Sequence, residues 1–133
     1  MNSPEPLQQK TWVKEVMKNT IISVDSSVTA TDAAKMMEDT GVGAIVVLEQ
    51  NVPVGIITDR DFAIKITAHS YPIDTPVRRI MSSPLISIDP NSDLWVASDL
   101  MSTRNVRKLP VLDDDKVVGI ITASDIVKHI ADH

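Results

Sequence analysis

The chain repeats itself. Displaced by 64 residues, Val13–His69 lies on Val77–His133 without a gap, and 18 of the 57 paired positions are identical. The identities cluster: Ile22-Ser23 with Ile86-Ser87, Val47-Leu48 with Val111-Leu112, Val54-Gly55-Ile56-Ile57-Thr58 with Val118-Gly119-Ile120-Ile121-Thr122, and Asp61 with Asp125. A period of 64 exceeds the roughly 20–50 residues of stacked solenoids, so it predicts two copies of one supersecondary unit packed on each other. The whole chain has only 133 residues. Autonomous domains usually run to about 100–150, so each copy alone is marginal and the two must share burial.

Each periodicity can be read twice. Ile21–Val24 and Leu85–Ile88 are short β-branched-rich runs followed by turn residues, Asp25-Ser26-Ser27 and Asp89-Pro90-Asn91, and they predict strands. Ala30, Ala33, Ala34 and Met37 then recur at helical spacing, as do Leu94, Ala97 and Met101, with Asp25–Ser27 and Asn91 as capping candidates. Gly41 and Asn105 stop both helices at the same register, as residues tolerant of left-handed backbone. Ala44–Leu48 and Val54–Thr58, like Leu109–Leu112 and Val117–Thr122, flank the polar turns Glu49–Asn51 and Asp113–Asp115 and read as hairpins. Phe62 and Ile66, and Ile126 and Ile130, sit four apart on a closing helix. The unit is therefore β-α-β-β-α, an α+β fold, led by a helical turn at Val13–Met17 or Val77–Met81. The boundaries expected are a flexible tail over 1–10, the first repeat over 11–70, a proline-bearing linker over 71–76, and the second repeat over 77–133.

Composition removes several functions. The longest uncharged apolar run, Gly41 to Leu48, is far below the roughly 20 residues of a membrane helix. The first ten residues are polar and proline-bearing, with no secretory apolar core, and the chain has no cysteine, so a cytoplasmic protein without disulfides or thiolate chemistry is expected. A net charge of −5 works against nucleic acid, whose phosphates need clustered cations. With no cysteine, no G-x-S-x-G motif and only four glycines for any phosphate loop, the chain is not expected to be an enzyme.

Two tandem copies, each ending in G-I-I-T-x-x-D, resemble the CBS-domain pair, the regulatory module named after cystathionine β-synthase. Val106–Val127 (VRKLPVLDDDKVVGIITASDIV) is similar to the family's second-copy signature, and Val54–Ala63 (VGIITDRDFA) to its first-copy form. The resemblance implies repeats related by a pseudo-twofold axis and clefts between them where adenosine-containing ligands bind. It also implies head-to-head or head-to-tail homodimers in a flat disc. The ligand class so implied is AMP, ADP or ATP, with S-adenosylmethionine as a further candidate; no metal is expected, since the candidate His and Asp clusters do not close a site.

The Thr-x-x-Asp sequences carry the chemistry. Thr58 and Asp61, and Thr122 and Asp125, stand where a strand ends and a helix begins, so free N–H groups and the positive end of a helix dipole face outward. A threonine hydroxyl there can donate to a phosphate, and a carboxylate one turn on can accept from two vicinal ribose hydroxyls, each bond contributing about 1.5–3 kcal/mol. The same pattern is also a near capping box that serves the helix with no ligand. By resemblance, the walls of the base pocket come from Thr20 and Ile22, with Pro84 and Ile86 in the second copy. They also come from the hairpin entries, Val42 and Ala44 or Val106, Leu109 and Pro110. Each aliphatic is equally a candidate for ordinary core. The copies differ in charge, since Thr40, Gly43 and Ala44 correspond to Arg104, Arg107 and Lys108. Those cations suit phosphate, arginine through bidentate contacts, or bridge to nearby carboxylates.

Other signals are weaker. His129 and His133 stand four apart at the extreme C-terminus, and two ligands do not close a metal site. Asp113–Asp115 reads as an acidic turn, and Met36, Met37 and Met101 as core or interface. The reading is a stand-alone regulatory module that binds an adenosine nucleotide and signals to an unidentified partner protein by a change of shape or dimer state. Two alternatives stand beside it. One is an interaction module with vestigial clefts; the other is a nucleic-acid accessory factor using Arg78, Arg79, Arg104, Arg107 and Lys108.

Overall fold

The computed structural model describes residues 10–132, so most of the expected N-terminal tail and His133 lie outside the described residues. In chain order the elements are helix α1 (Val13–Val16), strand β1 (Ser23–Asp25), helix α2 (Ala30–Thr40), strands β2 (Ala44–Glu49) and β3 (Val52–Thr58), and helix α3 (Asp59–Asp61). Helix α3 runs into a π-helix over Phe62–Ala68, and a 3-10 turn follows at Val77–Arg79. The second copy supplies α4 (Leu94–Arg104), β4 (Lys108–Asp113), β5 (Lys116–Thr122) and α5 (Ala123–Ala131).

Helix ends follow local chemistry. Gly41 (φ 75°) and Asn105 (φ 55°) take the left-handed conformation that ends α2 and α4. The N-caps, however, are Thr29, which accepts from Asp32 N, and Asp93, which accepts from Trp95 N, rather than the Asp25 and Asn91 regions. Asp25 and Asp89 fold back one step earlier, accepting from the backbone of Ser27 and Asn91. Each builds an Asx turn that aims the chain at the true cap. Both hairpins close through two left-handed residues, Gln50-Asn51 and Asp114-Asp115, the two-residue turn whose twist matches paired strands.

In the first copy β1 runs parallel to β2, and β2 antiparallel to β3. In the second, the expected strand Leu85–Ile88 shrinks to a single bridge between Ile88 and Val111 beside the β4–β5 pair. Proline explains the loss. The first copy uses Val46 N to Ile22 O and Ser26 N to Leu48 O, both 2.9 Å. Pro110 and Pro90 stand at the two donor positions and have no N–H to give. Only the inner pair survives, Ile88 N to Pro110 O and Leu112 N to Ile88 O.

The chain divides into two compact units that interleave the sequence repeats. One comprises residues 20–86 with 114–117; the other comprises the described residues up to Asn19, 87–113 and the stretch from Val118 onward. Each repeat's leading segment thus belongs with the other repeat. In the first unit the linker and lead-in serve α2: Ala30 N donates to Thr75 O, Thr31 N to Ile73 O, and Val77 N to Val28 O. In the second, Leu94 N donates to Thr11 O as Ala30 N does to Thr75 O, and Val13 N donates to Ser92 O as Val77 N does to Val28 O. Fully buried Val77 and Ile80 join Val24, Ala33, Ile45, Val47 and Ile57 in one core. Their burial contributes about 3–6 kcal/mol to the first unit. Val13, equally buried, serves the second.

The closing helices differ. Ile126 anchors the regular helix α5, whereas the Phe62–Ala68 segment is a π-helix, with His69 N reaching Ile64 O. Within it Lys65 Nζ donates to the carbonyls of Ile80 and Met81, tying the π-helix to the lead-in.

Candidate functional site

In the unit of residues 20–86, Ala44 opposes Thr58 and Ser23 opposes Val46, so β2 and β1 begin where β3 ends. Thr20, Ile22, Val42, Ala44, Thr58 and Asp61 are thereby brought to one end of the sheet. Ile22 and Val42 are half-buried, Thr20 is exposed, and Ala44 is buried, so Ala44 has little beyond backbone to show a ligand. Pro84 and Ile86 belong to this same unit, not with Thr122 and Asp125.

Asp61 is 7% exposed and held at both oxygens. Thr58 N donates to Oδ2 at 2.9 Å and the Thr58 hydroxyl reaches the same oxygen at 3.4 Å. Ser82 Oγ donates to Oδ1 at 2.9 Å. Ser82 arrives by backbone pairing, since its lead-in adds to the outer edge of β3 through the reciprocal bonds of Ile56 and Ser82.

The unit holding β4 and β5 repeats the plan with different chemistry. Thr122 N donates to Asp125 Oδ2 at 3.0 Å and Asp125 N donates to Thr122 Oγ1 at 3.1 Å, a reciprocal capping box. Asp125 Oδ1 meets Lys18 Nζ at 3.4 Å in an ion pair. Lys18 pairs with Ile120 as Ser82 pairs with Ile56. Arg107 is exposed and its carbonyl accepts from Ala123 N at 2.8 Å, while Lys108 is half-buried at the start of β4. Leu109 and Pro110 are fully buried, so their side chains serve the core, as does Met101.

Sequence reasoning missed Lys18 and Ser82. A signal was present, because the 64-residue shift places them opposite each other. It also missed why Gly55 and Gly119 recur: a Cβ at Gly119 would stand 2.7 Å from Lys18 O, and one at Gly55 2.9 Å from Ser82 O. Glycine is what lets the lead-ins approach.

Each carboxylate is fixed by a backbone amide at the mouth of a strand-to-helix turn, with its second oxygen shared only with a surface side chain. A carboxylate so held can accept from further hydroxyl donors, which can add to or replace the Ser82 or Lys18 contact. Among the described residues no three His, Cys, Asp or Glu side chains gather as metal ligands. An open groove of about 360 Å³ between α2 and the π-helix is lined by Ala30, Ala34, Lys35, Phe62 and Ile73, and contains none of the residues expected to bind nucleotide. No helix among the described residues is long and apolar enough to cross a membrane.

The family model described as "CBS domain" matches residues 13–67 and 77–132. The chain is 40% identical over 114 residues to the CBS domain-containing protein YhcV of Bacillus subtilis, covering 86% of this chain and 81% of that one. Its fold is similar to the crystal structure of the CBS domain pair of protein MJ0100 in complex with 5′-methylthioadenosine and S-adenosyl-L-methionine. That likeness has TM-score 0.84 and 28% identity, and covers 93% and 98% of the two chains. A second solved neighbour is hypoxic response protein I with two coordinated zinc ions, at TM-score 0.77 and 26% identity over 90% and 98%.

Proposed function

The chain belongs to the CBS-domain family, and from that premise we propose that it is a regulatory module whose Thr-x-x-Asp turns bind an adenosine nucleotide and relay its occupancy to a partner protein. CBS pairs generally bind adenosine ligands, and the neighbour MJ0100 is described with two of them. The observation that carries the reading is the duplicated carboxylate, Asp61 and Asp125. Each is locked by the amide of its own threonine and leaves one oxygen to a side chain that a ligand can displace. AMP has roughly two dozen heavy atoms, and at about −0.3 kcal/mol per atom its binding approaches −7 kcal/mol, a Kd near ~10 μM. Such a value lets occupancy follow metabolite levels. Signalling then requires that the ligand bind one conformation better than another.

A homodimer in the cytoplasm is part of this reading. Trp95, Val96, Val127 and Ile130 leave an apolar face exposed on α4 and α5, with Asp99 beside it. The groove on the first unit has Thr31 where Trp95 stands in the second, and Lys35, with Glu38 also in the lining, where Asp99 stands. A large apolar ridge suits such an apolar groove on a second copy.

The test is titration calorimetry and thermal shift with AMP, ADP, ATP, S-adenosylmethionine and adenosine on the wild type, Asp61→Ala and Asp125→Ala. Stabilisation should follow RT ln(1 + [L]/Kd). Each variant should lose ribose-dependent binding in one unit while giving up about 1–2 kcal/mol of helix-start stability. Wild-type binding in both variants would mean that the carboxylates only cap their helices.

A further inference from the structure

We propose that the residue brought by the lead-in segment sets the charge of the ligand each unit accepts. Lys18 makes the Thr122–Asp125 turn select a phosphate-bearing ligand, and Ser82 leaves the Thr58–Asp61 turn to a ligand without an anionic group. The proposal rests on the adenosine reading above and assigns its substrate class unit by unit.

The two turns share the Thr-x-x-Asp plan and differ in the group that meets the second carboxylate oxygen. At the first, Ser82 satisfies Asp61 Oδ1 with a hydrogen bond that brings no charge, and Arg60, next to Asp61 in sequence, is exposed. A phosphate added there meets a carboxylate whose partner is a neutral hydroxyl. Lys65, the nearest other cation in sequence, is already engaged by the Ile80 and Met81 carbonyls. At the second, Lys18 stands 3.4 Å from Asp125, and Arg107 and Lys108 occupy the positions of Gly43 and Ala44, with Ser124 in place of Arg60. Asp125 thus has an ammonium where Asp61 has a hydroxyl. Lys18 is 67% exposed at its side chain, and an exposed ion pair of this kind adds little to stability. Its ammonium can leave the carboxylate for a ligand phosphate while a ribose hydroxyl takes its place at Oδ1. Opposite charges a few ångströms apart at a protein surface are worth about a tenfold change in affinity.

Calorimetric titration of the full chain with ATP and with uncharged adenosine tests the assignment, using wild type, Lys18→Ser, Lys18→Met and Ser82→Lys, with Asp61→Ala and Asp125→Ala identifying which unit each event belongs to. Lys18→Ser and Lys18→Met should weaken ATP at the Asp125 unit about tenfold and change adenosine less than about twofold. Melting temperature should stay within about two degrees of wild type. Ser82→Lys should improve ATP binding at the Asp61 unit. ATP that still binds at the Asp125 unit with unchanged affinity in both Lys18 variants, or adenosine weakened as much as ATP, would overturn the charge assignment and leave the adenosine reading standing. No heat from any ligand with the wild type would overturn both.

Discussion

Replacing Gly119 by alanine probes the exchange of lead-in segments on which both carboxylate sites depend. The added methyl would lie 2.7 Å from Lys18 O, 2.7 Å from Met17 Sδ and 3.2 Å from Met17 Cγ. The methionine side chain can swing aside at modest cost, being unbranched and flexible. The carbonyl cannot, because Lys18 and Ile120 exchange backbone hydrogen bonds of 2.8 and 2.9 Å across that contact. Relief therefore means losing both bonds, at about 1 kcal/mol each, or enduring overlap at about 1–3 kcal/mol. Alanine's stiffer unfolded chain returns about 0.4–1 kcal/mol, leaving a net loss of about 1–2 kcal/mol. For a chain of this length that lowers Tm by roughly 5 °C. Urea unfolding followed by circular dichroism measures the first figure and a thermal melt the second. Gly41→Ala separates sterics from backbone preference, since a methyl there meets nothing within 4 Å but must adopt φ 75°. Its cost should be only about 1 kcal/mol. The reasoning fails if Gly119→Ala unfolds within about 0.5 kcal/mol of wild type. It fails equally if ATP binding survives intact when the Lys18 segment has been displaced.

The acid side of the stability profile has a named contributor. The Ser27 hydroxyl and amide donate to Asp25 and, with Arg78 adding attraction, hold its carboxyl below the usual carboxylate range. A depressed folded value means this contribution is present above the unfolded value of 3.8 and is lost as pH falls through the lower folded value. Ser27→Ala should raise the Asp25 midpoint in a carboxyl-carbon NMR titration, and an unmoved midpoint would remove Ser27 as the cause. Trp95→Glu, at a site 59% exposed, should leave the monomer folded and shift light-scattering mass from dimer to monomer. A wild type that is monomeric at high concentration, or an unshifted variant, would remove that face as the interface.

The sequence by itself determined the duplicated β-α-β-β-α unit, because periodicity, turn residues and left-handed stops are local properties that each copy reports independently. Gly41 and Asn105, the two-residue hairpin turns and the buried stripes of Ala33 and Ala97 are all of this kind. It also placed Thr58, Asp61, Thr122 and Asp125 at strand-to-helix turns, since a capping pattern spans three residues. Near-neighbour competition misled it at the helix starts, where Asp25 and Asp89 make Asx turns and Thr29 and Asp93 take the cap, and at Leu85–Ile88. There the strand depends on donors that Pro90 and Pro110 lack, and the partner of a strand is not written in the strand. What only the tertiary structure decided is which segment completes which unit. Val77 and Ile80 fill the core of the repeat they follow, and Val13 that of the repeat 64 residues on. The choice rests on contacts between residues far apart in the chain, where one buried valine looks like another. From that exchange follow the two partners of the carboxylates, Ser82 and Lys18, and with them the difference in charge between two turns that share the same Thr-x-x-Asp pattern.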